Sequence, residues 1–421
     1  MAIARQFTHS LAMNRRTFFL SAGAGGLASG IAVRADETSV ESVPHDGPAL
    51  GGAPVITGPA PEHMVILQPL RRPATGFVEF AVGDAEFQRV DADVGGLHPY
   101  ESHVLKFRLP PLPTGKAVRY RVTLRSIDWV RVKQWVHGKI VAGDPEPGVE
   151  RTFRTLDPGA ATSSFVVWND THENSETLKA LHESTSALNP DFLLWNGDQT
   201  NDVHFESEMA GQYLAPEGLP ITDRWPLAYV RGNHDLRGPA ARKLPSFTGT
   251  PDDRFYYSFR SGPLAALVMD TGEDKPDDSP YFAGLAAFKR MRQRQADWLK
   301  ATITQPWFRE APFRILFCHI PLWWVRDRTD IDWWEFSKVC RDAWAPTLQE
   351  AGVELVISGH THSHTWMPAS PEQPLAQLIG GGPQPHQATL IHGIATSDRL
   401  SLKMQKLDGT LLQEIVLPAP A

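Results

Sequence analysis

With 421 residues, of which 42% are hydrophobic and 21% charged, the chain has material for about two packed domains, and its composition excludes an intrinsically disordered protein. A formal net charge of -7 excludes a general attraction to nucleic acid or anionic lipid, which rests on clustered Lys and Arg. An anionic ligand would have to be held locally, and the two cysteines, Cys318 and Cys340, are too few for a disulfide framework and lack zinc-finger spacing.

At the N-terminus, Asn14-Arg15-Arg16-Thr17-Phe18-Phe19-Leu20 leads into a weakly apolar run from Ser21 to Val33, too short and too glycine-rich to span a bilayer as a mature helix. The segment resembles a twin-arginine export signal. Small residues at Val33 and Ala35 place cleavage after Ala35, so residues 1–35 are expected to be a signal peptide. The resemblance implies export of a folded protein by the twin-arginine machinery to the periplasm or exterior of a bacterium. No later segment is apolar enough to span, so the mature chain is expected to have no membrane span.

Residues 53–156 read as all-β. Phe77 to Val82 and His103 to Leu109 are short β-rich runs, and Val118, Tyr120, Val122 and Leu124 alternate with Arg119, Arg121 and Thr123, a period of two that buries one face. Turn-forming stretches at 110–115 and 143–148 separate them, as in a two-sheet antiparallel sandwich, and Asp157-Pro158-Gly159 is the expected boundary.

After Ser164 strands alternate with helical stretches, the pattern of an α/β layer architecture with parallel strands. Five apolar runs of buried-strand type, 165–168, 192–195, 227–230, 315–318 and 355–358, are each followed at once by polar residues. In order these are Asn169-Asp170-Thr171-His172, Gly197-Asp198, Gly232-Asn233-His234-Asp235, His319, and Gly359-His360-Thr361-His362. Ligands in such sheets gather beyond the carboxyl ends of the strands, so the five loops are expected to converge. His360 and His362, alternating in an extended segment with a kink at Gly359, would aim both rings to one side. An amphipathic helix is expected over 288–303, and a closing hairpin over 400–417 with Asp408-Gly409 as its turn.

Aspartate and neutral imidazole without cysteine point to manganese, iron or zinc. Seven such ligands are too many for one ion. Shared between two ions about 3.5–4 Å apart, with one carboxylate bridging, they make a clamp that activates water and neutralises a phosphoryl group.

The set D-x-H, G-D, G-N-H-D, a strand-end H and G-H-x-H resembles the calcineurin-like metallophosphoesterase superfamily, over almost all of the chain after Ser164. The resemblance implies a four-layer αββα sandwich, here over 163–418, and two divalent or trivalent transition-metal ions. It implies that Asp170, His172 and His362 bind the first metal, that Asn233, His319 and His360 bind the second, and that Asp198 bridges them. His234 would then hydrogen-bond the phosphate and protonate the leaving oxygen, with Asp235 orienting its ring, while a metal-bound hydroxide attacks a small phosphate-ester substrate. In domain order the chain is similar to purple acid phosphatases, whose fibronectin-III-like domain precedes the catalytic one, and Tyr120 is placed for a tyrosine corner. Those enzymes carry a tyrosine three residues after the second-motif aspartate, where this chain has Asn201, which argues against an Fe(III)–tyrosinate centre.

His182, His204, His364, His386 and His392 lack such motif support. His204 follows the Asp198 loop and His386 follows Gly380-Gly381-Gly382, which makes both weak candidates for substrate contact, with loop histidine the simpler reading. Trp323, Trp324, Trp333 and Trp334 crowd the stretch after His319 and suit either a substrate-facing wall or ordinary packing, and Arg326 and Arg328 suit either phosphate pairing or a solvated loop. Cys318 reads as a small buried side chain, with a Cys318–Cys340 bridge left open.

The expected function is hydrolysis of phosphate monoesters. A phosphodiesterase acting on nucleotide or lipid-derived diesters would use the same metals and ligands with a different pocket wall. An inactive surface-binding protein would show a missing ligand, and none is missing. A β-lactamase-like enzyme or metalloprotease would need H-x-H-x-D-H or H-E-x-x-H, and neither motif occurs.

Overall fold

Strands that are apolar on both faces take interior places. In the computed structural model, which describes residues 47–92, 95–130, 139–323 and 335–419, Ser163–Trp168, Phe192–Asn196 and Leu227–Val230 pair in parallel at the middle of a nine-stranded sheet. Phe313–Phe317 and Leu355–Ser358 pair in parallel inside a second, six-stranded sheet. The five motif-bearing strands are thus divided three and two between two sheets. The signal segment, Trp324, Arg326, Arg328, Trp333 and Trp334 lie outside the described residues.

The two sheets face each other across one core. Phe165, Val167, Phe192, Leu194, Ala228 and Val230 from the first meet Phe259, Ala266, Val268, Phe313, Ile315, Phe317 and Ile357 from the second. Phe165 stacks on Phe192 at 5.4 Å and meets Phe317 edge-on at 5.8 Å, contacts worth about 0.5–1.5 kcal/mol each beyond their burial. Alternate residues point outward to helices. Val166, Trp168, Leu193 and Trp195 pack on Leu178 and Leu181 of the helix Ser175–Leu188 and on Met209 and Tyr213 of Glu206–Tyr213. On the far side Leu267, Leu316 and Val356 pack on Ala296 and Leu299 of Phe288–Thr302 and on Cys340, Trp344 and Leu348 of Glu335–Glu350. The layers therefore run helix, sheet, sheet, helix, and the period-two burial of each strand is what allows one sheet to serve two cores.

The helix expected over 288–303 forms at Phe288–Thr302, but its buried face also carries Arg292 and Gln295, which bond backbone in the loop after Leu264–Val268. The closing hairpin forms as Arg399–Lys406 and Leu411–Pro418, at the edge of the nine-stranded sheet.

The N-terminal β region is not closed on itself. Val55–Thr57, Val65–Pro69 and Val104–Arg108 extend the nine-stranded sheet, with Thr57 paired in parallel to Leu227. Ala74–Val82 and Ala117–Val130 belong to a third sheet, whose Val78, Phe80, Val118, Tyr120 and Val122 pack on Ile56, Ile66, Leu105 and Phe107 of that extension. One core thus joins both parts of the chain. Tyr120 forms no local corner, because its hydroxyl crosses to the Asp223 carbonyl at 2.8 Å, the apolar ring having been buried against the larger sheet. Cys318 and Cys340 are both buried and free, so the bridge left open by the sequence is not made.

Candidate metal centre

Each motif loop leaves the carboxyl end of its strand, and the loops brace one another by backbone hydrogen bonds. The amides of Asp170, His172 and Glu173 donate to the carbonyls of Gly197, Asp198 and Gln199, and that of Gly359 donates to the His319 carbonyl at 2.9 Å. The bracing holds unusual backbone. Of the eleven non-glycine residues with positive φ among the described residues, five are expected ligands: Asp170, His172, Asp198, His360 and His362. Left-handed backbone costs such residues about 1–3 kcal/mol each and persists where surrounding contacts over-determine it. His360 and His362 therefore do not alternate along an extended segment. With φ of 71° and 52°, they sit on a tight turn that Asp170 holds by accepting the His360 amide at 2.8 Å.

All seven expected ligands meet. Asp170, His172, Asp198 and His362 each offer a donor atom to one cluster, and Asp198, His319 and His360 to another, with the donors of each cluster within 4.8 Å of one another. Asp198 is common to both. In the first cluster the Nε2 atoms of His172 and His362 face each other at 3.1 Å, with Asp198 Oδ2 3.5 Å from the former and Asp170 Oδ1 3.7 Å from the latter. In the second, Asn233 Oδ1 lies 3.1 Å from His319 Nε2 and 2.9 Å from His360 Nδ1, and Asp198 Oδ2 lies 3.1 Å from His319 Nε2. His319 Nδ1 donates to the Asn196 carbonyl at 2.9 Å, and His172 Nδ1 donates to Asn201 Oδ1 at 3.1 Å. Both bonds turn Nε2 inward, where it would supply the lone pair to a bound metal. Asn201 thus takes a new part as a partner of a candidate ligand.

The electrostatics fit cations. Burial pushes His360 down to about 3 and His172 down to about 4, so both rings are neutral donors near pH 7. Burial also raises Asp170 well above the carboxylate range, opposed by His319 and reinforced by Asp198. Burial would raise Asp198 too, but His319, His234 and His172 hold it below the usual range. His319, which burial alone would lower, is held up at about 10 by Asp198 and Asp170. Two buried carboxylates facing converging imidazole lone pairs form a donor set that suits two transition-metal ions sharing one carboxylate.

His234 stands beside the clusters without entering them. Its ring centroid is 4.7 Å from that of His172, and its amide donates to Asp198 Oδ1 at 2.8 Å. Asp235 does not orient it. Among the described residues, the Asp235 carboxylate accepts from the amides of Gly232, Asp198 and Gln199 and from the Tyr213 hydroxyl, which ties the second and third motif loops together. The His234 ring is set by the Asn201 carbonyl, which accepts from Nδ1 at 2.7 Å, and by Arg237, whose Nη1 lies 2.9 Å from Nε2. Arg237 was missed in the sequence; its only local signal is a position three residues beyond His234.

Of the weaker candidates, His204 and His386 are exposed and belong to neither cluster, although the glycine loop before His386 does approach, with Gly382 packed against His362. His392 bonds Ser164, and His182 packs near Trp225. Trp323 is buried in the outer helical core and forms no wall of the site.

The family model described as calcineurin-like phosphoesterase matches residues 163–364. In sequence the chain is similar to serine/threonine-protein phosphatase CPPED1 of Bos taurus, 30% identical over 234 residues that cover 53% of this chain and 68% of that one. To the Mus musculus protein it is 28% identical over 169 residues, covering 40% of this chain and 48% of that one, so the chain spans about half the length of that curated relative. In structure it is similar to purple acid phosphatase PPD1 from yellow lupin (Lupinus luteus) seeds, with a TM-score of 0.62, 13% identity and coverage of 87% of this chain and 74% of that one. A PhoD structure gives a TM-score of 0.55 at 11% identity, covering 88% and 90%. At such identities these two likenesses speak to the fold alone.

Proposed function

The chain belongs to the calcineurin-like phosphoesterase family, and we propose that it is a secreted hydrolase of phosphate monoesters working with two transition-metal ions. One observation carries the reading: two donor clusters, drawn from four separate loops, share the single carboxylate of Asp198, and Asn233 of a fifth loop stands against His319 and His360. Asp170, His172 and His362 would hold one ion, and Asn233, His319 and His360 the other. Manganese, iron and zinc all suit the donors. Bound there, the ions supply Lewis acidity and an activated water. The chain's own residues do the rest. Asp198 keeps the two halves in register, and the Asn196 and Asn201 oxygens hold the imidazoles of His319 and His172 in the ligating tautomer. His234 flanks the phosphoryl group, positioned by Asn201 and Arg237.

Secretion is supported by the twin-arginine-like segment before Ala35, with cleavage leaving a mature protein that reaches the periplasm or exterior. Among the described residues no helix is long and apolar enough to cross a membrane. The fibronectin-III-like reading of 53–156 rests on its alternating strands. The similarity to serine/threonine-protein phosphatases makes phosphoserine and phosphothreonine monoesters natural test substrates beside aryl phosphates.

The test is a metal count by mass spectrometry with side-by-side hydrolysis of aryl phosphate monoester and diester. Asp198→Ala is expected to lose metal and activity together, whereas His234→Ala keeps metal and loses most turnover. Full metal and full activity in either variant would refute the assignment.

A further inference from the structure

We propose that Arg237 contacts the substrate's phosphoryl group and biases the centre towards dianionic monoesters over monoanionic diesters, an inference that rests on the hydrolase reading above. Its guanidinium is held from behind. Glu273, whose side chain is 0% exposed, accepts from Nε at 3.1 Å and from Nη2 at 2.9 Å, and Asp274 lies 3.3 Å from Nη2. Glu273 is itself fixed, since Arg292 of the helix Phe288–Thr302 donates to its carbonyl at 2.7 Å and to that of Thr271 at 2.9 Å. Lys275, 2.6 Å from Asp274, brings the four charges of Arg237, Glu273, Asp274 and Lys275 to balance.

The remaining nitrogen, Nη1, is aimed the other way, at His234 Nε2, whose ring lies against His172 of the first donor cluster. A planar guanidinium locked by a bidentate carboxylate with one N–H edge turned to a site is preorganised for an anion. It turns the positive end of this charge-balanced group to the wall that His234 forms. A monoester phosphate carries a charge of about −1.5 to −2 at pH 7, and a diester carries one negative charge. The positive edge, turned to the site with its counterions behind it, therefore favours the former in a partly desolvated site.

The alternative role is a staple that merely holds the Glu273 loop. Three variants of the full metal-loaded chain separate the two: Arg237→Lys, Arg237→Gln, and Arg237→Gln with Glu273→Gln, which leaves an amide pair in place of a buried unpaired carboxylate. Bound metal, binding of inorganic phosphate by titration calorimetry, and kcat/KM for an aryl monoester and an aryl diester are measured on each. At native metal content the two glutamine variants are expected to bind phosphate about tenfold more weakly and to lose about 100-fold on the monoester, with less than about tenfold loss on the diester. Arg237→Lys, keeping the charge and the Glu273 pairing, recovers part of both.

The proposal is overturned if a glutamine variant with native metal keeps wild-type phosphate affinity, or if monoester and diester rates fall by the same factor. Wild-type protein that hydrolyses neither ester, yet loses phosphate affinity on Arg237→Gln, would remove the hydrolase reading and leave the phosphate contact standing.

Discussion

Gly197 lies between a strand end and the bridging carboxylate, and replacing it with alanine tests how tightly the centre is built. Its φ is +85°, and a Cβ there would stand 2.2 Å from Nδ1 of His319 and 2.5 Å from Cγ. The ring falls about 1.2 Å short of ordinary contact. It has nowhere to go, because it is fully buried and pinned by the Asn196 carbonyl on one side and by Asn233 and Asp198 on the other. Metal–ligand distances tolerate about 0.2 Å, so the second ion loses His319. In stability, left-handed backbone in a residue with Cβ costs about 1–2 kcal/mol and overpacking about 1–3 kcal/mol, together about 2–5 kcal/mol. Gly197→Ala should therefore fold in the cold, melt earlier, and bind about one metal fewer. Gly211, inside the helix Glu206–Tyr213, is the control: a Cβ there meets nothing within 4 Å, so Gly211→Ala should gain about 0.4–1 kcal/mol with unchanged metal. Metal counting and thermal melts on both variants decide the matter, and a Gly197→Ala protein with two metals and native turnover would refute the close packing of this loop.

Metal loading should release protons. His319, held up at about 10 by its carboxylate neighbours, carries its second ring proton near pH 7 in the metal-free protein, so calorimetry in buffers of differing ionisation enthalpy should read net proton release and affinity rising with pH. Burial raises the Glu354 carboxyl from 4.5 to about 7, against the opposing pull of Arg314. The folded state thus binds this proton more tightly than the unfolded one, and the stability it confers is present below pH 4.5 and lost as pH rises through 7. Discounted for partial exposure, Glu354→Gln should stabilise by about 1–2 kcal/mol at pH 8 and by nothing resolvable at pH 4.5, read by denaturant melts; an equal gain at both pH values would count against it. Tyr120→Phe removes the bond to the Asp223 carbonyl and should cost about 1–2 kcal/mol in the same assay, whereas a neutral result would mean that water replaces the hydroxyl.

The ligand set was legible before any coordinates because its signal is local. Runs such as Phe165-Val166-Val167-Trp168 and Leu355-Val356-Ile357-Ser358 are apolar on both faces and must become interior strands, and chemically capable residues directly behind such strands gather at one rim. The convergence of Asp170 and His360, 190 residues apart, follows from that rule. What the chain does not spell out is anything set by contact between the loops themselves. The division of the five strands between two sheets, the continuation of the large sheet by Val55–Thr57, and the crossing of Tyr120 to Asp223 depend on which apolar faces meet, and many faces are alike in composition. The left-handed backbones of Asp170, His172, Asp198, His360 and His362 run against local preference and are held by hydrogen bonds from distant loops. The sequence puts Asp235 beside His234 as its expected partner, yet its carboxylate serves three amides and a tyrosine, while His234 answers to Asn201 and Arg237. Hydrophobic periodicity is written residue by residue along the chain, but a buried polar group takes whichever partner the assembled fold brings within about 3 Å, and only the folded chain decides that.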